Sequence, residues 1–443
     1  MFFISLWKNQ DKVDTKTIKI YIEELGPIRD SVIELKPFMI FSGESGMGKS
    51  YTVLLVHYIY RILCNAALSS FFEEIKADYN ALIDQHPDDK EGLLCEFSLN
   101  QFEEWGNRSA VSYLADMLGV STMSAKISIK FEGMADHYKF TFKKEVLDVL
   151  GGEVDYFESV HLNNDPGLRL PNHSKNWNSI PFVVLFRHHL REMYHITQSD
   201  TFLLPPSRGA LISLSDVARS SILASVGMYR EFLTDFSNLK ARKAEEQFLI
   251  DRYSSLSSDM LHGNISMKDN DLYYAQSYGE IPITAAASSV KELTPFALML
   301  QKGVVGDYSI LFEEPESHLH PEMQIKVADL LAYISSYGGR MQITSHSDYL
   351  LRRINDLIRL DILKNQLSEI DYLAFCEKYH YDPKITLPSS RIGAYFFKHQ
   401  KEEMVEIVPQ EVAKGVPFDT FRAVLDNQLA DSSALFDKVE EIE

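Results

Sequence analysis

Five side chains in this sequence have the types and spacing to hold and cleave a phosphate chain: Lys49, Ser50, Glu313, Glu314 and His346. Lys49 and Ser50 close the run GESGMGKS at 43–50, with the spacing G-x-x-x-x-G-K-S. Gly43, Gly46 and Gly48 can take backbone angles closed to other residues and present bare N–H groups. Glu44, Ser45 and Met47 fill the loop between them, and Tyr51 follows it. A loop of this spacing wraps nucleotide phosphates. Its lysine reaches the β/γ-phosphates and its serine hydroxyl holds Mg²⁺. ATP and Mg²⁺ are therefore the expected ligands, with Gly43 to Tyr51 as the binding segment.

The second half of the chemistry lies in YSILFEE at 308–314, an apolar run ending in two carboxylates. Glu313 is placed to steer Mg²⁺ beside Ser50, and Glu314 to orient the attacking water. A further apolar run, Met341 to Thr344, ends in Ser345-His346-Ser347. A histidine there can hydrogen-bond a γ-phosphate, although a lone histidine is more often structural. Lys49, Glu314 and His346 are thus the expected catalytic residues, and Ser50 and Glu313 the expected metal ligands.

These residues need particular elements beneath them. The loop needs a strand before it and a helix after it, and Phe38 to Phe41 and the Gly- and Pro-free Tyr51 to Leu63 supply both. The helix start adds its dipole to the anion site. Thr17 to Ile22 and Val32 to Leu35 alternate as strands around Gly26-Pro27. The stretch from 64 to about 116 reads as mainly helical. Ile127 to Phe131 and His137 to Phe142 alternate around Gly133 as a hairpin. Residues 150–180 read as loop. Residues 212–262 carry long helical patterns, and so do Val327, Leu330, Leu331 and Ile334 at i, i+3, i+4, i+7. Four segments follow: an N-terminal lobe at 1–63, an inserted arm at 64–262, a C-terminal lobe at 263–360 and an α/β extension at 361–443.

With 443 residues, 45% hydrophobic and 24% charged, the chain can bury a large core. Its net charge of −19 is poor for coating nucleic acid, which needs clustered Lys and Arg. Three cysteines, far apart in sequence, suit a reducing cytosol. Lys8, Asp11 and Lys12 interrupt the apolar start too early for a signal peptide. The most apolar stretch, Tyr51 to Phe72, contains His57, Arg61 and Asn65 and reads as a buried helix rather than a membrane span. A cytoplasmic protein without a membrane segment is expected. The acidic stretch 401–443 reads first as a solvated helix face.

Ser50 and Glu313 lie roughly 260 residues apart by numbering. With GPIRDSVIELKPFMIFSGESGMGKS, FEEPESHLHP and ITSHSDYLL, this wide gap resembles the ABC-type ATPase heads of the SMC and overcoming-lysogenization-defect group. Those are bacterial AAA-type ATPases, many of which serve anti-phage defence, as in Septu- or PARIS-like systems. The resemblance covers roughly 17–60 and 270–360, and more weakly LLPPSRG at 203–209. It implies an α/β P-loop head, a mixed sheet flanked by helices, with a large mainly helical insertion between the two motifs. It also implies a homodimer closed around ATP, or a higher oligomer, controlling a separate nuclease or toxin.

In such heads a signature motif precedes the second acid motif and caps the nucleotide of the opposite subunit. AAASSVKEL at 285–293 stands in that place, so Ser288 and Ser289 are expected to face the partner's nucleotide. They equally suit a helix N-cap. Val290 replaces the family's glycine and Glu313 its usual aspartate; both departures imply slow turnover. His318 and His320 lack a third metal ligand in the sequence and are read as lining the dimer face. Arg208 reads either as a contact to phosphate or partner or as an ordinary surface arginine. After His346 only 97 residues remain, without a D-x-D pair, so no nuclease domain of the Toprim type is expected. The alternatives are an SMC-like ATPase in DNA repair or metabolism, a non-catalytic scaffold stabilised by ATP, and a transporter subunit, against which the missing LSGGQ and Gln loop count.

Overall fold

The structure is a computed structural model. It describes residues 16–148 except 65, 154–214 except 164 and 172–175, 227–400 except 270, and 404–440 except 414 and 418. Strands β1 (Ile18–Leu25) and β2 (Ile28–Glu34) pair antiparallel through the Gly26-Pro27 turn. β3 (Phe38–Gly43) is buried along almost its whole length, as an unbroken apolar run in a central strand must be. The phosphate-type loop follows, then helix α1 (Lys49–Cys64), which is buried on nearly every face. It lies between the strands at Asp200–Leu204, Tyr308–Glu313 and Arg340–Ser345 on one side and the helices at Leu99–Leu118 and Ile180–Met193 on the other.

Further along come α2 (Ser69–Glu74), α3 (Tyr79–Ile83), β4 (Glu91–Ser98), α4 (Leu99–Leu118), β5 (Ala125–Phe131), β6 (His137–Asp148), β7 (Val154–Leu162), β8 (Leu168–Pro171) and α5 (Ile180–Met193). Next are β9 (Asp200–Leu204), α6 (Arg208–Ile212), α7 (Gly227–Ala241), α8 (Gln247–Leu261), β10 (Asn264–Lys268), β11 (Asp271–Gln276) and β12 (Gly279–Pro282). The remainder is α9 (Ser288–Gln301), β13 (Tyr308–Glu313), α10 (Pro321–Ser336), β14 (Arg340–Ser345), α11 (Asp348–Gln366), α12 (Glu369–Tyr379), β15 (Ile392–His399), β16 (Val405–Gln410) and α13 (Asp419–Glu440).

Nine strands form one mixed sheet in the order β5-β1-β2-β16-β15-β3-β14-β13-β9. From β15 to β9 the strands are parallel, while β5, β1 and β2 form an antiparallel wing. Parallel strands end on one edge, and such an edge is where open α/β sheets bind ligands. Gly43, Glu313 and Ser345, the last residues of β3, β13 and β14, therefore share that edge. This is the P-loop ATPase head fold, with the insertion carrying helices and a four-stranded sheet, β4-β6-β7-β8. Phe71, Phe72, Phe97, Phe102, Phe140 and Phe186 pack edge to face to form that insertion's core.

Several local expectations need correction. β5 and β6 are not a hairpin: β5 pairs with β1 in the large sheet, and β6 pairs with β4 and β7 in the other. Alternation identifies a strand without naming its partner. The stretch from 64 to 116 includes β4. Its register shifts between Leu93 and Cys95, which puts buried Leu94 and Phe97 three apart and imitates a helical period. The segment 150–180 holds β7, β8 and the start of α5 rather than only loop. The helical reading of 212–262 matches α7 and α8, while 215–226 lie outside the described residues. β15 and β16 enter the large sheet between β2 and β3, so strands on both sides of residue 360 share one sheet.

Candidate functional site

The loop after β3 turns on three glycines with positive φ: Gly43 at 141°, Gly46 at 82° and Gly48 at 89°. At Gly43 a Cβ would stand 2.8 Å from the carbonyl oxygen of Phe397 on β15, so only glycine fits there. At Gly46 nothing lies within 4 Å, and the backbone is open to a ligand. Lys49 begins α1 and is buried, with Nζ donating to Gly43 O at 3.0 Å and Glu44 O at 2.5 Å. Burial holds its ammonium below the ordinary lysine range, while Glu314, Glu313, Glu316 and Glu44 pull the other way. The ammonium thus arches over the loop, with a hydrogen to spare for an anion. Met47 is buried under the loop, Tyr51 packs against Gly26, and Glu44 lies exposed, 3.9 Å from His399 Nε2.

Ser50 Oγ donates to Glu313 Oε2 at 2.8 Å. The other oxygen of Glu313, Oε1, is buried without a hydrogen-bond partner. Burial pushes this carboxyl up to about 7, while the Ser50 hydrogen bond favours the charged form. An orphaned carboxylate oxygen beside a serine hydroxyl is a donor set suited to a hard divalent cation. Ser50 and Glu313 therefore fit Mg²⁺.

Glu314 follows at φ 44°, a left-handed conformation unusual for a side chain of its size. Its N–H reaches Thr344 O at 3.2 Å and Thr344 Oγ1 at 3.1 Å, and its Oε2 accepts from Ser317 Oγ at 2.9 Å. Oε1 stands 4.0 Å from His346 Nε2. His346 is held below the usual histidine range by burial and by Lys49, against the pull of Glu314. It is consequently neutral near pH 7 and free to donate one N–H or accept one. A cleft of about 360 Å³ opens beside this pair, lined by Glu314, Glu316, Gln324, His346, Ser347 and Tyr349.

Sequence reasoning missed Glu316. Its Oε1 accepts from His346 N at 2.6 Å and from Ser345 Oγ at 2.9 Å, so it fixes the backbone beneath His346. The only trace in the sequence is an acid two residues beyond the paired carboxylates, in an exposed-looking PES turn. Both readings of Arg208 are overturned. It is wholly buried and donates to the backbone oxygens of Pro205, Glu292, Glu313 and Glu314. It touches neither solvent nor a phosphate site directly. Its place directly after PPS gave no sign of burial.

The structure thus brings together Lys49, Ser50, Glu313, Glu314 and His346. Ser288 and Ser289 head α9; the cap position itself is Ala287, with no side-chain hydrogen bond, so neither serine is the N-cap. Ser288 is exposed. His320 caps α10, its Nδ1 accepting from Glu322 N at 3.4 Å, and His318 sits in the preceding turn at φ 61°. Among the described residues no group of His, Cys, Asp and Glu side chains is arranged as a metal cluster, and no single helix is long and apolar enough to cross a membrane.

Residues 223–351 match the family model described as AAA ATPase domain. The matched segment holds Glu313, Glu314 and His346 and leaves Lys49 and Ser50 outside it. No curated protein matches the chain. Solved structures similar to it include an Smc head bound to the C-winged helix domain of ScpA (10% identity, TM-score 0.37, covering 90% of this chain and 98% of that one). The SMC head domain from Thermotoga maritima is similar at 11% identity and TM-score 0.32, covering 90% and 100%. An Smc head domain with an extended coiled coil, bound to the C-terminal domain of ScpA derived from Pyrococcus furiosus, is similar at 10% identity and TM-score 0.36, covering 93% and 98%.

Proposed function

We propose that this chain binds ATP with Mg²⁺, hydrolyses it slowly, and acts as a nucleotide-driven switch that closes as a homodimer. The observation that carries the reading is the Ser50–Glu313 hydrogen bond with its unpartnered second oxygen. It joins the two halves of a phosphate site across the sheet edge. When bound, Mg²⁺ would draw charge from the phosphate oxygens, with Ser50 and Glu313 holding it. Lys49 supplies a fixed positive charge over the loop. Among the described residues Glu314 Oε1 takes no hydrogen bond, while Oε2 is held by Ser317; in this reading Oε1 accepts a hydrogen from the attacking water. His346, neutral and 4.0 Å away, is placed to donate to a phosphate oxygen. Little is asked of the protein beyond position and charge, as in phosphoryl transfer generally.

The reading extends to partners. Ser288 and Ser289, at the exposed start of α9, would meet the nucleotide of a second copy. Closure would then favour one state of a separate effector over another by differential affinity. The effector in this reading is a nuclease or toxin of a defence system; an SMC-like role in DNA metabolism shares the same switch. The test is equilibrium binding of a fluorescent ATP analogue with Mg²⁺ to the wild-type chain and to Lys49→Ala. The wild type should bind and the variant should lose affinity by about 10- to 100-fold, the worth of a charge-assisted hydrogen bond. Equal affinities remove the basis of the proposal.

A further inference from the structure

Arg208 is the largest fully buried side chain among the described residues. A buried guanidinium is rare unless all of its donors are used. Here Nε donates to Glu292 O at 2.9 Å, Nη1 to Pro205 O at 3.1 Å and Glu313 O at 2.8 Å, and Nη2 to Glu314 O at 3.3 Å. The carboxylate of Glu292 is buried too, with Oε2 3.5 Å from Nε and no hydrogen bond of its own. The guanidinium lies 4.5 Å from the ring centroid of Phe312. One cation thereby ties together the turn before α6, the carboxyl end of β13 and the second turn of α9.

The tie acts where the backbone is strained. A left-handed non-glycine residue costs about 1–3 kcal/mol and persists only when its surroundings hold it. Glu314 is such a residue, gripped on one side by Thr344 through its N–H and on the other by Arg208 through its carbonyl. The neighbouring glycine is part of the same arrangement: a Cβ on Gly209 would stand 2.9 Å from Glu292 Oε1, so α6 and α9 approach as closely as the backbone allows. We propose that Arg208 is a positioning residue that sets the Glu314 carboxylate and couples it to α9, so that displacement of the α9 N-terminus alters the hydrolytic geometry. Lysine cannot replace it, because an ammonium lacks the planar fork that spans carbonyls of three segments. The inference deepens the hydrolytic reading above and rests on it.

The experiment uses the full chain as wild type, Arg208→Lys and Glu292→Gln. Four quantities are read: affinity for a fluorescent ATP analogue, kcat for ATP, KM for ATP, and ATP-dependent hydrogen-exchange protection of residues 285–293. Wild-type binding and turnover are measured first; their absence would defeat the function proposed above rather than this coupling. Arg208→Lys should bind the analogue within about 2-fold of wild type while kcat falls by about 100-fold, the scale of a 1 Å misplacement. ATP should protect 285–293 in the wild type and leave them unprotected in the variant. A simple packing role would lower the melting temperature without separating kcat from affinity or erasing the ATP-dependent protection. Glu292→Gln, which keeps the shape and the backbone acceptor, should show the same split to a smaller degree. It carries the test if Arg208→Lys does not fold. Unchanged kcat and unchanged protection in the folded variant or variants overturn the proposal.

Discussion

The hydroxyl of Ser50 lies 2.8 Å from Glu313 Oε2, across 263 residues of sequence, and this single hydrogen bond joins the phosphate loop to the paired carboxylates. It holds the side chains of both residues against each other, in the arrangement the proposed Mg²⁺ site needs. Ser50→Ala removes one donor and one prospective ligand without disturbing β3 or the loop glycines. ATP affinity in EDTA should stay within about 2-fold of wild type, whereas the gain in affinity that Mg²⁺ gives should fall by about 10-fold, the worth of one hydrogen bond to a charged group. Titration calorimetry with and without Mg²⁺ reads both. A full Mg²⁺ effect in the variant would mean that Ser50 does not meet the metal.

Glu314→Gln keeps the Ser317 contact and removes the charge that would orient water. ATP binding should persist, and turnover should drop by about 100-fold or more, the range expected for loss of a positioned base. Phosphate release under single-turnover conditions is the measurement. Turnover at the wild-type rate would reassign the role to another group, with His346 the nearest.

Gly43→Ala tests the loop's geometry apart from its chemistry. The new Cβ would press on the Phe397 carbonyl at 2.8 Å, in a backbone conformation at φ 141° that alanine avoids. The expected loss is about 1–3 kcal/mol of folding stability, with weakened nucleotide binding because β15 and the loop separate. Urea unfolding gives the first quantity. A variant as stable as wild type would show that the strand–loop contact is soft.

The site's parts were legible because each is a local pattern. Glycines at fixed spacing, an apolar strand ending in two acids and a strand ending in histidine need no knowledge of their neighbours. What the sequence hid was pairwise. β15 and β16 read as an extension because nothing in IGAYFFKH says that it slots beside β3. β4 was hidden by a bulge that gave it a helical period; β5 was legible as a strand, but not its pairing with β1, more than 100 residues away. Arg208 and Glu316 act through backbone atoms, and a hydrogen bond to a carbonyl or an N–H leaves no trace in the identity of the residue it holds. The reading of Ser288 stayed at the level of the motif, because its proposed target lies on another copy of the chain.

Ser288→Arg addresses that copy. Ser288 is exposed at the head of α9, so the larger, charged side chain should leave the monomer's melting temperature unchanged. In the Glu314→Gln background with ATP, light scattering should report dimers for Glu314→Gln alone and monomers for the double variant. Dimers in both would place the interface elsewhere.

The last expectation concerns pH and a part of the molecule away from the loop. Helix α7 carries Glu231 and Asp235 toward α1. Glu231 accepts from Arg61, and its Oε1 lies 3.0 Å from Nε2 of the fully buried His57. Asp235, one turn on, accepts a backbone hydrogen bond from Leu203 of β9 and faces Glu231 and Asp200, with Arg61 as the nearby cation. Burial, reinforced by those two carboxylates, pushes its carboxyl up to about 8. A carboxyl raised by folding stabilises the fold in its protonated form. That contribution is whole below the usual aspartate value and is lost as pH rises toward 8, because the unfolded chain ionises first and gains from doing so. Asp235→Asn keeps an oxygen for the Leu203 N–H and cannot ionise. The difference in melting temperature between variant and wild type should therefore be smallest near pH 5 and grow in the variant's favour up to about pH 8, then level off. Taking the difference cancels every other titrating group that the substitution leaves alone. Differential scanning at pH 5, 6, 7, 8 and 9 measures it, and a difference that does not change with pH would show that Asp235 is ionised in the folded chain throughout.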